Sequence, residues 1–133
     1  MKSISWESRL YNPKLPLEKD IEKRAVEYGL KLEYYILKLN GEGNRGKLDR
    51  LFVNLVGEHI YIEFKRPGEV LRPDQWLHVR DLTRRTCIVY ECHCLRHARR
   101  ILDNHRRPHA DSIDGRLTYQ MVAEELKKNT VNL

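Results

Sequence analysis

The sequence predicts a single α/β domain in which a central mixed sheet of four to five strands is flanked by helices. Three observations predict it. Apolar spacing switches repeatedly between helical and alternating periods, in the order α-β-β-β-α-β-α-α, and such an order places helices on a sheet. At 133 residues with 41% hydrophobic content, the chain can bury one core without disulfide staples. With 33% charged residues and no apolar run near the roughly 20 residues of a membrane span, it reads as globular, with no membrane segment. The lead-in Met1 to Arg9 is too polar for a signal peptide.

Each element has its own signal. Pro13 and Pro16 punctuate a polar lead-in. From Leu17 to Tyr28, residues Leu17, Ile21, Ala25 and Tyr28 recur at helical spacing, and Gly29 is expected to stop that helix. Glu33 to Leu39, rich in tyrosine and branched apolar residues, predicts a strand. Asn40 to Gly46 carries three glycines and predicts a loop. Leu51 to Val56 and His59 to Phe64 predict a hairpin about a short Gly57-Glu58 turn. Pro73 to Arg84 predicts a helix opened by proline, with Trp76, Val79 and Leu82 on its apolar face. Thr86 to Glu91 predicts a fourth strand. Leu95 to His105 predicts a basic helix turning Leu95, Ala98, Ile101 and Leu102 inward. Pro108 to Gly115 is a loop, and Thr118 to Lys128 a last amphipathic helix. The whole chain, 1–133, is expected to form one domain, with a core over 17–92 and a basic helical extension over 95–133.

Charge points to a polyanionic partner. The net charge is +6, from 25 basic and 19 acidic residues. Between Arg80 and Arg107 eight arginines face three acids (Asp81, Glu91, Asp103), and the guanidinium fork matches phosphate oxygens. A solvated helix surface is the plainer reading of that excess. Three cysteines (Cys87, Cys92, Cys94) are an odd number bunched together, which makes a poor disulfide framework and fits a reducing, cytoplasmic setting.

The chemistry concentrates in Gly46-Lys47-Leu48-Asp49-Arg50 and Ile62-Glu63-Phe64-Lys65-Arg66-Pro67-Gly68. Glu63 and Lys65, two apart on a strand, point to one side, while Ile60, Ile62 and Phe64 point to the other. A hairpin brings Asp49 onto the neighbouring strand. Two carboxylates converging beside an ammonium are costly to hold unless something binds there, and a divalent metal is the usual occupant.

This pattern resembles the PD-(D/E)XK nuclease superfamily and, within it, the virus-type replication-repair nuclease (VRR-NUC) family. The resemblance runs from Leu17 to about Tyr90. It takes in Leu17-Glu18 before Gly29, Lys38 before the glycine loop, the two motifs above, and Leu71-Arg72-Pro73-Asp74-Gln75. Leu48 stands where the family usually has proline. The resemblance implies a restriction-endonuclease-like fold and a Mg²⁺- or Mn²⁺-dependent endonuclease hydrolysing DNA phosphodiesters. It implies Asp49 and Glu63 as metal ligands, with Glu18 completing the shell directly or through water. Lys65 would orient the attacking water or stabilise the transition-state phosphate, and Gln75 would support the site. Small stand-alone members of the family imply a homodimer acting on branched DNA such as four-way (Holliday) junctions, compatible with a phage or prophage product in a bacterial host. The cations expected to meet nucleic acid are Lys38, Arg50 and Arg66 by the motifs, and Arg96, Arg99 and Arg100 on the basic helix.

Other readings stand beside these. A non-catalytic nucleic-acid-binding module on the same fold, or a nuclease acting on linear DNA, fits the same residues. Glu18 and Glu22 share a helical face, so either could reach the sheet; the family's spacing to Gly29 favours Glu18, and Glu22 could pair with a nearby base. Glu63 and Lys65 could be a surface ion pair, and Gln75 could cap its helix. Cys92, Cys94 and His97 offer soft ligands for zinc, but their spacing suits buried strand-end cysteines better. His93, His97, His105 and His109 are expected on the basic surface. Tyr34 and Tyr35 are expected as core and strand residues and Trp76 in the core, although Trp76 could stack on an unpaired base.

Overall fold

The computed structural model of the chain describes residues 17–41, 46–107 and 113–131. The lead-in with Pro13 and Pro16, the middle of the glycine loop (42–45) and His109 lie outside the described residues. Eight elements follow in the predicted order: α1 (Glu18–Lys31), β1 (Tyr35–Lys38), β2 (Arg50–Val53), β3 (His59–Phe64), α2 (Pro73–Thr83), β4 (Ile88–Cys92), α3 (Leu95–His105) and α4 (Tyr119–Val131). No helix among the described residues is long and apolar enough to cross a membrane.

Alternation along β3 generates two layers. Ile60, Ile62 and Phe64 are buried on one face with Ile21 and Ala25 of α1 and Ala98, Ile101 and Leu102 of α3. Glu63 and Lys65 belong to the other face. There, Val79 of α2 and Val122 of α4 close a second core around Leu48, Val89 and Leu117, with Trp76 and Tyr61 packed against it. Leu48, next to Asp49, is fully buried and anchors that core. Tyr34 is buried in the core, and Tyr35 opens the edge strand β1 as a strand residue but is 65% exposed.

The sheet runs β1-β2-β3-β4. The first three strands form an antiparallel meander, and β4 lies parallel to β3, so the sheet is mixed as expected. A further short segment lines the outer edge of β4. Arg116 bridges antiparallel to Tyr90, the Glu91 N–H donates to Gly115 O at 3.0 Å, and the Leu117 N–H donates to Val89 O at 2.8 Å.

Several expected boundaries move, each for a tertiary reason. Gly29 does not stop α1, which continues through it to Lys31. A Cβ at Gly29 would lie 3.0 Å from both Ile36 Cδ1 and Phe52 Cε1, so the glycine lets α1 settle on the sheet. The chain turns instead at Glu33, whose φ is 67°. Strand β2 ends at Val53 because Asn54 builds the hairpin loop. Its Oδ1 accepts from the N–H groups of Val56 (3.1 Å) and Glu58 (2.8 Å), and its Nδ2 donates to His105 O at 2.7 Å. His105 itself is buried, not on the basic surface, since it continues the Ala98, Ile101, Leu102 face of α3. Tyr90 Oη lies 2.5 Å from its Nε2.

Gly29→Val tests the close approach of α1. Forcing a branched side chain between Ile36 and Phe52 should cost about 1–3 kcal/mol, read as a lowered midpoint in urea denaturation. An unchanged midpoint would show that helix and sheet are not in tight contact there.

Candidate metal centre

Register places the acids. With Arg50 opposite Ile62 in the antiparallel β2–β3 pair, the preceding residue Asp49 falls opposite Glu63. The two carboxyls interlock with the backbone: the Asp49 N–H donates to Glu63 Oε1 at 3.0 Å, and the Phe64 N–H donates to Asp49 Oδ2 at 2.8 Å. Glu18, the first residue of α1, enters from the side. One carboxylate oxygen from each of Glu18, Asp49 and Glu63 lies within 4.8 Å of the others. Among the described residues no other group of His, Cys, Asp and Glu side chains reaches that geometry.

The remaining contacts fix Glu63. Lys65 Nζ sits 3.2 Å from Glu63 Oε2, and Gln75 Nε2 donates to the same oxygen at 2.6 Å. Gln75 Oε1 meanwhile accepts from the Arg72 N–H at 3.1 Å, so the residue both caps α2 and reaches the acids. Asp49, Glu63, Lys65 and Gln75 are each 5% exposed or less, which rules out a surface ion pair for Glu63 and Lys65. Glu22 does not join them. It faces Arg50 of β2, whose Nε donates to Glu22 Oε2 at 2.6 Å, because alternation turns Arg50 towards α1 and away from Asp49.

Such crowding carries an electrostatic cost. Burial first, then the charge of Asp49, pushes the Glu63 carboxyl well above its usual range, and Lys65 only partly offsets this. Burial raises Asp49 likewise. Glu18 is pushed up to about 7 by burial, with Lys65 working against it and nearby Glu69 and Asp49 adding to it. Three carboxylate groups with one ammonium must either hold protons or share a cation, and an all-oxygen donor set suits a hard divalent ion.

A cleft of about 410 Å³ opens over Glu18, Asp49 and Gln75 and is rimmed by Lys38, Lys47 and Arg72. Lys38 was expected at a nucleic-acid surface; Lys47 and Arg72 were not singled out, although both belong to the quoted motifs. Asn40 was also missed. Its Nδ2 donates to Asp49 Oδ1, and its buried Oδ1 has no partner among the described residues. Its position just before the glycine loop was the available signal.

The other expected residues lie elsewhere. Arg66 follows Lys65, and its carbonyl meets His93 Nδ1 at 3.1 Å. Arg99 stacks on Tyr28, its Cζ 5.4 Å from the ring centroid, whereas Arg96 and Arg100 line a separate cavity beside β4. Among the described residues the cysteines gather no metal-binding group. Cys92 Sγ donates to Cys94 O at 3.3 Å, Cys94 Sγ accepts from the His97 N–H at 3.4 Å as the cap of α3, and His97 Nε2 sits 2.6 Å from Asp114 O. His93 and His97 are half-buried by these contacts rather than displayed on the surface.

No family model matches the sequence, and no curated protein matches it significantly. Among solved structures, a VRR_NUC domain shares the fold, with a TM-score of 0.59 and 21% identity over 66% of this chain and 96% of that one. The resemblance read from the motifs is thus borne out at the level of the fold, and the small α/β nuclease-like architecture with it.

Proposed function

We propose that this chain is a divalent-metal-dependent DNA endonuclease that prefers branched substrates such as four-way junctions and acts as a homodimer. The observation that carries the reading is the convergence of Glu18, Asp49 and Glu63 beside Lys65, with the acid and lysine motifs at the family's spacing on the fold of a VRR_NUC domain. A Mg²⁺ or Mn²⁺ ion held by the three acids would supply Lewis-acid activation of the scissile phosphate and its water.

The chain's own residues then divide the work. Asp49 and Glu63 are preset by backbone N–H groups, and Gln75 keeps Glu63 from rotating. Lys65 Nζ, on the same face as Glu63, steadies the attacking water or the charge that develops on the phosphate. Lys38, Lys47 and Arg72 grip the phosphates on either side of the cut. A two-fold dimer would present two such centres to a near-symmetric junction.

The test is a panel of labelled four-way junction, linear duplex and single strand incubated with Mg²⁺, Mn²⁺ or EDTA. Metal-dependent products from the junction, and none in EDTA, are expected. Salt-sensitive binding without products would identify a non-catalytic binding module, and equal cutting of linear duplex would remove the branched preference. Light scattering on the same samples reads the dimer.

A further inference from the structure

The carboxyl ends of β3 and β4 form a switch point. After β3 the chain passes to α2 on one face of the sheet, and after β4 it passes to α3 on the opposite face. Ligands in open α/β sheets favour the crevice outside such a point. Next to that point, between the carboxyl end of β4, α3 and the segment on the outer edge of β4, lies a cavity of about 560 Å³, within the 300–1,000 Å³ typical of small-ligand sites.

Its wall is mixed in a useful way. Arg96 and Arg100, one turn apart on α3, face Arg116 on the segment that lines β4, while Leu117 and Met121 supply an apolar side. The acids present do little to oppose an anion. Glu91 is occupied by His93, with Oε1 2.7 Å from Nε2. Asp114, 90% exposed, reaches Arg100 only at 3.9 Å, a contact too loose and too solvated to hold the guanidinium. Arginines opposite an apolar wall match a nucleotide better than a bare anion, because a base needs a surface and a phosphate needs the forks.

Position ties the cavity to the cleft. Glu91 is the register partner of Glu63 on the neighbouring strand, about 4.8 Å away across the sheet. A strand with its scissile phosphate at Glu63 can reach the cavity by running across β4 at Glu91. We propose that this cavity is a nucleotide subsite that takes one unpaired deoxynucleotide of the substrate, its phosphate between Arg96 and Arg100 and its base against Leu117 and Met121. This assignment deepens the nuclease reading and rests on it for the identity of the strand.

The test uses the full chain in EDTA, so that binding is read apart from cutting. Thymidine 5′-monophosphate and a 5′-phosphorylated dT tetranucleotide are titrated while backbone amide shifts are followed. Shifts should concentrate at residues 95–98 and 115–117. The double substitution Arg96→Ala/Arg100→Ala should weaken binding by about tenfold or more. Met121→Ser, which strips the apolar side without changing charge, should weaken binding as well. Arg84→Ala/Arg85→Ala removes equal charge from the opposite end of the sheet and should leave affinity within about twofold. Shifts centred elsewhere, wild-type affinity in the Arg96/Arg100 and Met121 variants, or an equal loss in the Arg84/Arg85 variant would overturn the subsite. Nucleotide binding here with no junction cutting would instead overturn the nuclease reading of the strand.

Discussion

Lys65→Ala should lower metal-dependent cleavage by about 100- to 1,000-fold, the usual loss when one group stabilising a transition state is removed. The side chain is buried, and its ammonium lies 3.2 Å from Glu63 Oε2. Lys65 is the ammonium paired with that carboxylate, and alanine leaves the pair broken. Asp49→Ala should lose at least as much, since it removes a carboxylate oxygen from the set of three. Junction binding in EDTA should survive in both variants because the rim cations remain, and thermal melting checks that both still fold. Wild-type cutting rates in the two variants would place the chemistry elsewhere.

The second large effect is on stability. Glu18 in the folded chain is pushed up to about 7 from an ordinary 4.5, and Glu63 is raised as well. An acid raised by folding binds its proton more tightly in the native state. Its stabilising contribution is complete below pH 4.5 and is lost as pH climbs through about 7. The metal-free protein should therefore melt at progressively lower temperature between pH 5 and pH 8. A divalent ion should reverse the trend at the alkaline end. Metal at about 100 times its Kd stabilises by about 2.7 kcal/mol, or about 10 °C in Tm for a chain of this size. Glu63→Gln should abolish the response to Mg²⁺. A flat melting profile in EDTA, or a metal response that survives Glu63→Gln, would show that these acids do not share a cation.

What could be read in advance divides along physical lines. Period-two alternation located β3, and helical spacing located α3, to the residue, because both elements bury one face completely. The same alternation placed Glu63 and Lys65 on one side of the strand. Gly29 was misread because its role is a close approach between two elements, which no local pattern announces. Arg50 was grouped with the cleft by its neighbour Asp49, yet one step along a strand reverses the side chain and delivers it to Glu22. Asn40, Lys47 and Arg72 reach the cleft only through the path of loops, whose course depends on the packed sheet. The β4 cavity was the least legible feature. It depends on Gly115, whose φ of 88° lets the chain pass close to β4, where a Cβ would lie 2.7 Å from Glu91 O.

The arrangement of Glu63 and Glu91 on neighbouring strands has a consequence for how such a chain can diverge. Every side chain proposed to serve the cation lies between residues 18 and 75, the stretch that carries the family's motifs. The cavity beside β4 is built between residues 91 and 121. The two are joined through backbone pairing, which depends little on side-chain identity. Substitutions in the later segment can therefore reshape the cavity while the cluster of acids is left intact.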